Sequence, residues 1–345
     1  MLEATIRLRR LRPVRELSAF FAENTAFLTG GTVRDALLGL PVSELDVAVM
    51  GEAETCAREL AQRLGGTYFP LGRTPLVTYR VVAGPFQVDL WSVAGSLEED
   101  ILRRDFTVNG LFYNIADFTV IDYAGGLADL ERRVIRSIGP AGERFLEDPV
   151  RMMRAVEYAV RLGFSLEPET ALAIREHFRE IRRASAARLA YELTESLKSG
   201  HAAGIFRGLW EFGLLLEVLP FLAGYDAKQQ ELLFRLLALA DRVQTEKSLG
   251  EEALLALLVW PWLAKPLSEA AEGSLPWGQL EAEIKSRVGE MAQLLSFSHY
   301  RGHLLRYGFL YFARLHHEPR SPRKAARMVR HEAFPVAMDL LTVQA

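Results

Sequence analysis

The hydrophobic pattern of this chain changes character once, near Arg144. Before that point short apolar or alternating runs interleave with helical stretches; beyond it strand signals vanish and apolar residues recur every three or four positions. The strand-like runs are Ala26–Thr29, Leu45–Met50, Thr67–Phe69, Thr78–Val82, Phe86–Trp91, Leu111–Ile115 and Val120–Asp122. Residues 1–24, Thr32–Leu38, Glu52–Leu64 and Leu97–Asn109 read as helices, the second of them stopped by Gly39 and Pro41. The later part predicts helices over Phe145–Leu162, Glu167–His177, Ala187–Ser199, His201–Gly213, Ala227–Gln244 and Glu251–Leu263. After a loop at Pro266–Gly278, helices resume at Leu280–Leu295, His299–His316, Pro322–Arg330 and Phe334–Thr342. The expected architecture is a mixed α/β head followed by an all-helical body, an α+β chain of more than one unit.

Composition removes several classes. The 345 residues contain one cysteine, Cys56, so neither an internal disulfide nor a CxxC metal site can form, which points to a reducing, cytoplasmic setting. No run of about 18 uncharged apolar residues occurs, so no membrane span is expected. The arginine-bearing N-terminus lacks the apolar core of a secretory signal. A net charge of −3 argues against a simple polycation. Yet of 41 basic residues only Lys198, Lys228, Lys247, Lys265, Lys285 and Lys324 are lysines. Genome base composition could produce that bias; either way, arginine offers a planar fork suited to phosphates and base edges. The segment from Phe297 onward is locally basic, which suits either a solvated helix face or an RNA backbone.

The residues with chemical meaning begin at Thr29-Gly30-Gly31-Thr32-Val33-Arg34-Asp35. Two glycines between a strand and a helix either make a plain turn or let the backbone approach a phosphate at the helix N-terminus. Glu44-Leu45-Asp46-Val47 follows, and positions i and i+2 of a strand share a face, so Glu44 and Asp46 lie side by side. A solvent-facing edge strand would carry the same pattern. Asp89, in Gln87-Val88-Asp89-Leu90, alternates in the same way. Three carboxylates brought together by neighbouring strands would hold oxygen-loving divalent cations such as Mg²⁺, in a two-metal arrangement.

Gly30-Gly31 followed by Glu44-x-Asp46 resembles the signature of the nucleotidyltransferase superfamily that includes DNA polymerase β. Further stretches narrow the resemblance: LRRDFTVNGLFYN (Leu102–Asn114), VIDYAGGLADLERRVIRSIG (Val120–Gly139), RFLEDPVRMMRAVEYAVRLGF (Arg144–Phe164) and ASAARLAYEL (Ala184–Leu193). In order and spacing they are similar to the bacterial tRNA nucleotidyltransferase/poly(A) polymerase family of the class II CCA-adding type, over about residues 25–220.

The resemblance implies a polymerase β-like catalytic head over residues 1–140, a nucleobase-binding helical neck over 141–220 and an RNA-binding helical body and tail over 221–345. It implies Glu44, Asp46 and Asp89 as catalytic metal ligands. Gly30, Gly31, Arg34, Asp35, Arg103, Arg104, Asp105 and Asn109 would contact the triphosphate and ribose. Asp148 and Arg151, with Arg154 continuing the face, would read the base of ATP or CTP; without the family, Asp148 and Arg151 are an ordinary intrahelical pair. Arg188 matches the next motif, with Ala187 where the family often has Glu. The expected activity is template-independent addition of CMP and/or AMP to the 3′ end of tRNA, with RNA as partner, no DNA and no membrane. The oligomeric state stays open.

Two departures bear on that expectation. Glu44 stands where the family has its first aspartate, which leaves room for a catalytically impaired RNA-binding protein. The stretch from Asp89 to Arg103 is short, which resembles members that add only CC. Against that, FTVNGLFYNIADFTVIDYAGG and the basic tail resemble poly(A) polymerases, so polyadenylation is the rival activity. His299 and His303, four apart, and Val259-Trp260-Pro261-Trp262 read as packing, and Cys56 as a buried inert thiol.

Overall fold

The computed structural model describes residues 8–20, 26–42, 44–73, 76–315 and 322–344. Contacts divide the chain into two compact units: Met1–Arg144 with Phe164–Ala171, and Phe145–Gly163 with Leu172–Ala345.

The first unit is built on a seven-stranded sheet. In chain order its elements are α1 (Arg12–Phe20), β1 (Ala26–Thr29), α2 (Gly30–Leu38), β2 (Glu44–Val49), α3 (Ala53–Leu64), β3 (Thr67–Arg73), β4 (Leu76–Ala83), β5 (Phe86–Ser92), α4 (Leu97–Leu102), β6 (Leu111–Asn114) and β7 (Val120–Asp122). The spatial order is β3-β4-β5-β2-β1-β6-β7. β2 and β5 run parallel; the other neighbours are antiparallel.

Alternation along β2 separates two faces. Leu45, Val47 and Val49 are buried on one side, where α3 packs against β4 and β5 through Cys56, Ala57, Leu60 and Ala61. Glu44, Asp46 and Ala48 share the other side. There Ala48 joins Phe27, Phe112, Ile101 and Ile138 in an apolar cluster, with Trp91 and Leu97 packed on it. One face of the sheet is therefore apolar at one end, under α4, and acidic at the other.

A second, two-stranded sheet explains why Phe164–Ala171 belongs to this unit. β8 (Val134–Ile135), reached through α5 (Gly126–Arg132), pairs in parallel with β9 (Ser165–Leu166). Arg136 there binds both Asp129 and Glu167.

The second unit is helical. Its elements are the end of α6 (Ala141–Glu147), α7 (Val150–Leu162), most of α8 (Pro168–His177), α9 (Ala186–Lys198), α10 (Ala202–Glu211), α11 (Leu214–Val218), α12 (Ala227–Gln244), α13 (Glu251–Ala271), α14 (Trp277–Leu294), α15 (His299–Leu315), α16 (Pro322–Val329) and α17 (Phe334–Gln344). The most buried of them, α13, packs against α9, α12, α14, α15 and α17.

Three expectations from periodicity are corrected. The expected loop at Pro266–Gly278 is helical as far as Ala271, because α13 runs through both Pro261 and Pro266. Proline inside a helix costs roughly 3 kcal/mol, but Leu263, Leu267 and Ala270 are almost fully buried. The Tyr225 hydroxyl donates to the Leu258 carbonyl one turn before Pro261, so a carbonyl beside the interrupted ladder keeps a donor. The expected helix Phe145–Leu162 is broken at Asp148-Pro149, since proline disfavours helical backbone in the residue before it. The expected helix Leu97–Asn109 stops at Leu102, and Thr107–Asn109 form a separate 3₁₀ turn. Residues 1–7, 21–24 and His316, parts of expected helices, lie outside the described residues.

Among the described residues no helix is long and apolar enough to cross a membrane. Cys56 is buried, and burial pushes its thiol up to about 11, as an inert side chain requires.

Candidate active site

The acidic end of the sheet is created by register. β2 and β5 align Asp46 directly with Asp89 and Glu44 with Gln87. Parallel partners in register project to the same side, so Glu44, Asp46 and Asp89 stand on one face. Asp46 is partly buried there, and its carboxyl is pushed up to about 6. Burial is the largest cause, followed by Asp89; Glu44 adds to the rise, while Arg104 and Arg34 oppose it. Burial and the two neighbouring acids together thus outweigh the arginines in their effect on this carboxyl.

The start of α2 forms the adjoining wall. Gly30 has φ +60, and a Cβ there would stand 2.9 Å from Asp46 Oδ2. Only glycine satisfies both conditions without strain. Thr29 is extended and gives α2 no side-chain cap, so the first-turn amides keep their capacity for another acceptor. Thr32 ties helix to strand: its hydroxyl accepts from the Asp46 amide at 2.8 Å and donates to the Glu44 carbonyl at 3.1 Å.

The expected polar residues fall into linked groups. Arg34 is buried, donates to Asp35 at 2.8 Å and to Asn109 Oδ1 at 2.6 Å. Asn109 in turn donates to Asp105 at 3.0 Å. Arg104 is gripped by Asp100 through Nε and Nη2, and lies against the faces of Phe112 and Trp91. Its Nη1 is 3.7 Å from the Cβ position of Gly30, beside Asp46. Arg103 shares Asp100 but its side chain is half exposed.

Asp148, Arg151 and Arg154 belong to the second unit. Asp148 is not within the helix that carries the two arginines; it precedes Pro149 and α7. Its carboxylate accepts from Arg188 at 2.7 Å, while Arg151 pairs with Glu147 at 3.3 Å and Arg154 donates to Tyr158 at 2.9 Å. The intrahelical Asp148–Arg151 pair considered from spacing gives way to an Asp148–Arg188 pair forty residues apart. Burial raises the carboxyl pKa of Glu192, with Arg154 and Arg188 opposing, so these arginines also face a buried acid.

Three functional candidates went unread in the sequence: Thr32, Asp100 and Arg80. Arg80 on β4 donates two hydrogen bonds to Asp89, at 2.8 and 2.7 Å. A signal for it existed. The β4–β5 hairpin pairs Ala83 with Phe86, and counting back along that register sets Arg80 opposite Asp89. Arg80 thus holds both oxygens of Asp89, and no three carboxylates, imidazoles or thiols among the described residues gather as a ready metal cage. Replacing Arg80 with Leu is expected to slow nucleotide incorporation by about 10–100-fold, the usual effect of losing an orienting partner of a ligand. Arg80→Lys would rescue little, since an ammonium cannot reproduce the two-pronged contact. Single-turnover incorporation rates check both.

Sequence comparison bears on this geometry. Residues 26–88 and 74–136 match the family described as poly A polymerase head domain, and residues 163–225 match the probable RNA and SrmB-binding site of polymerase A. Poly(A) polymerase I of Escherichia coli O6:H1 is 31% identical over 93% of this chain and 75% of its own length. The chain belongs to the bacterial tRNA nucleotidyltransferase/poly(A) polymerase family. A second relative within it, the multifunctional CCA protein of Xanthomonas campestris, is 38% identical over 56% of this chain and 50% of its own length. Among solved structures, a tRNA nucleotidyltransferase complexed with a primer tRNA and an incoming ATP analog has a TM-score of 0.64 and 25% identity, covering 92% of this chain and 91% of that one. Family membership identifies the chain as a nucleotidyltransferase and accounts for the mixed sheet followed by helices.

Proposed function

We propose that this chain transfers CMP, AMP or both from CTP or ATP to the 3′ end of tRNA, without a nucleic-acid template and in the cytoplasm. The in-register pairing of Asp46 with Asp89 beside the Gly30 turn carries the reading. The RNA 3′-hydroxyl oxygen attacks the α-phosphorus and gives up its proton to water, the bond to the β-phosphate oxygen breaks, and pyrophosphate leaves with the electron pair. The turn at Gly30-Gly31 and the uncapped start of α2 receive phosphate oxygens. Arg104, oriented by Asp100, supplies positive charge beside Asp46. Arg34, Asp35, Arg103, Asp105 and Asn109 hold ribose and phosphates.

The carboxylate oxygens of Asp46, Glu44 and Asp89, on one face of adjacent strands, are the donor type a hard divalent cation takes. Mg²⁺ held there would supply Lewis-acid activation of the hydroxyl and neutralise charge on the departing phosphate. Glu44 is exposed at the mouth of this group. Glu44→Gln is expected to lower the incorporation rate by about 10²-fold, whereas Glu44→Asp stays within about tenfold, because it keeps the charge and moves the oxygens by only one methylene. Equal rates for Glu44→Gln and the parent would remove Glu44 from the site.

Only residues 93–96 connect β5 to α4, and a capping box between Ser96 and Glu99 fixes the helix start. This short connection supports CMP addition. The test supplies Mg²⁺, labelled CTP or ATP, and tRNAs ending before CCA, after C and after CC. Discrete addition to one of these ends supports the reading. Polyadenylation is a second reading, favoured because the similarity to poly(A) polymerase I runs through 93% of the chain. Long ATP-dependent tails on unstructured RNA would establish it instead. RNA binding without incorporation of either nucleotide would establish a non-catalytic binder.

A further inference from the structure

Helix α15 carries His303, Tyr307, Tyr311 and Arg314 at spacings of four, four and three, which aligns them on one face. The ring of His331, just beyond α16, stacks on Tyr307 with centroids 5.1 Å apart and planes 25° apart, and meets Tyr311 edge-on at 5.0 Å. Trp277, at the start of α14, lies under the Arg314 guanidinium at 5.6 Å. These four rings, Trp277, Tyr307, Tyr311 and His331, together with Arg314 and Arg327, line a cavity of about 620 Å³ within the second unit. Among the described residues no carboxylate lines it. Glu281 pairs with Arg306 at 3.1 Å, and Glu332 lies 3.6 Å from His303, whose ring stacks on His331. Burial raises the Tyr311 hydroxyl above its usual pKa while Arg314 and Arg327 oppose the rise, so both guanidiniums act on the same ring.

Flat aromatic faces and guanidiniums around one opening match one ligand chemistry in particular. A nucleobase takes the ring faces, and its phosphate takes the arginines. Duplex RNA offers no unstacked base to such a cavity. The volume lies within the roughly 300–1,000 Å³ typical of small-ligand sites. We infer that this cavity binds one nucleotide of a single-stranded RNA segment, with its base against Tyr307 and Trp277 and its phosphate at Arg314 and Arg327. The inference rests on the reading of RNA as substrate and adds a base-holding site remote in sequence from the carboxylates.

The test uses the full chain without Mg²⁺, a fluorescently labelled unstructured 12-nucleotide RNA and the same sequence as a duplex, read by anisotropy over a salt series. Tyr307→Ala should weaken single-strand binding about tenfold with the salt slope unchanged, as loss of one stacked base does. Arg327→Ala should weaken it severalfold and reduce the slope by about 0.7, the signature of one phosphate contact. Duplex binding should change in neither variant. With the parent chain, an oligonucleotide carrying 5-iodouridine should cross-link on irradiation to Trp277, Tyr307, Tyr311 or His331. Parent-like affinity in both variants, equal losses for duplex and single strand, or cross-links confined to other helices would overturn the inference while leaving RNA binding intact. Absence of any RNA binding by the parent would overturn the RNA reading itself.

Discussion

Asp46→Asn is expected to abolish nucleotide incorporation and at the same time to stabilise the head at neutral pH. The loss of rate should be about 10³-fold or more, since the variant removes an anionic oxygen donor from the proposed metal site. The gain in stability has a different origin. In the folded chain the Asp46 carboxyl is pushed up to about 6 by burial and by Asp89. A carboxyl with a raised folded-state pKa binds its proton more tightly folded than unfolded. Folding is therefore penalised above about pH 6, and the penalty fades as pH falls through 6 towards the ordinary carboxylate range. Removing the charge should stabilise by about 2 kcal/mol at pH 8 and much less at pH 4. Thermal melts of both proteins in EDTA at the two pH values check this. A gain at pH 4 equal to that at pH 8 would show that folding does not raise the Asp46 carboxyl.

Gly30→Ala should damage both the fold and the site. Its φ of +60 costs a non-glycine residue roughly 1–2 kcal/mol. The added methyl would stand 2.9 Å from Asp46 Oδ2, so the carboxylate must move as well. A displacement approaching an ångström lowers the rate by about 10²-fold. Gly84→Ala separates the two effects. Gly84, in the β4–β5 turn, has φ +57 but open space where its Cβ would be. That variant should lose comparable backbone stability in a denaturant melt and keep its incorporation rate. If Gly30→Ala retained full activity, the close approach of α2 to Asp46 would not matter to catalysis.

Much of this was legible before the structure because it is local. The turn at Gly30-Gly31 follows from two glycines after an apolar run, and the shared face of Glu44 and Asp46 follows from the two-residue period of a strand. The helices Glu52–Leu64 and Ala227–Gln244 follow from apolar spacing and match the structure to within one residue. Where the reading failed, long-range packing opposed a local rule. Pro261 and Pro266 lie inside α13 because burial of Leu263 and Leu267 outweighs the lost hydrogen bonds. Pro149 had the opposite outcome and left Asp148 outside the helix that carries Arg151.

What the sequence by itself determined is which residues carry the charge and on which side of its own element each one stands, since side-chain direction within one strand or helix depends only on the backbone repeat. What only the tertiary structure decided is which of those charges meet. Strand order brings β5 beside β2 across β3 and β4, and the register then opposes Asp46 to Asp89 rather than to a neighbour one residue away. The same kind of choice gives Asp148 to Arg188 and gathers Trp277, Tyr307 and His331 around one cavity. Pairing between distant segments is set by burial of the whole sheet or bundle, and no local period encodes it.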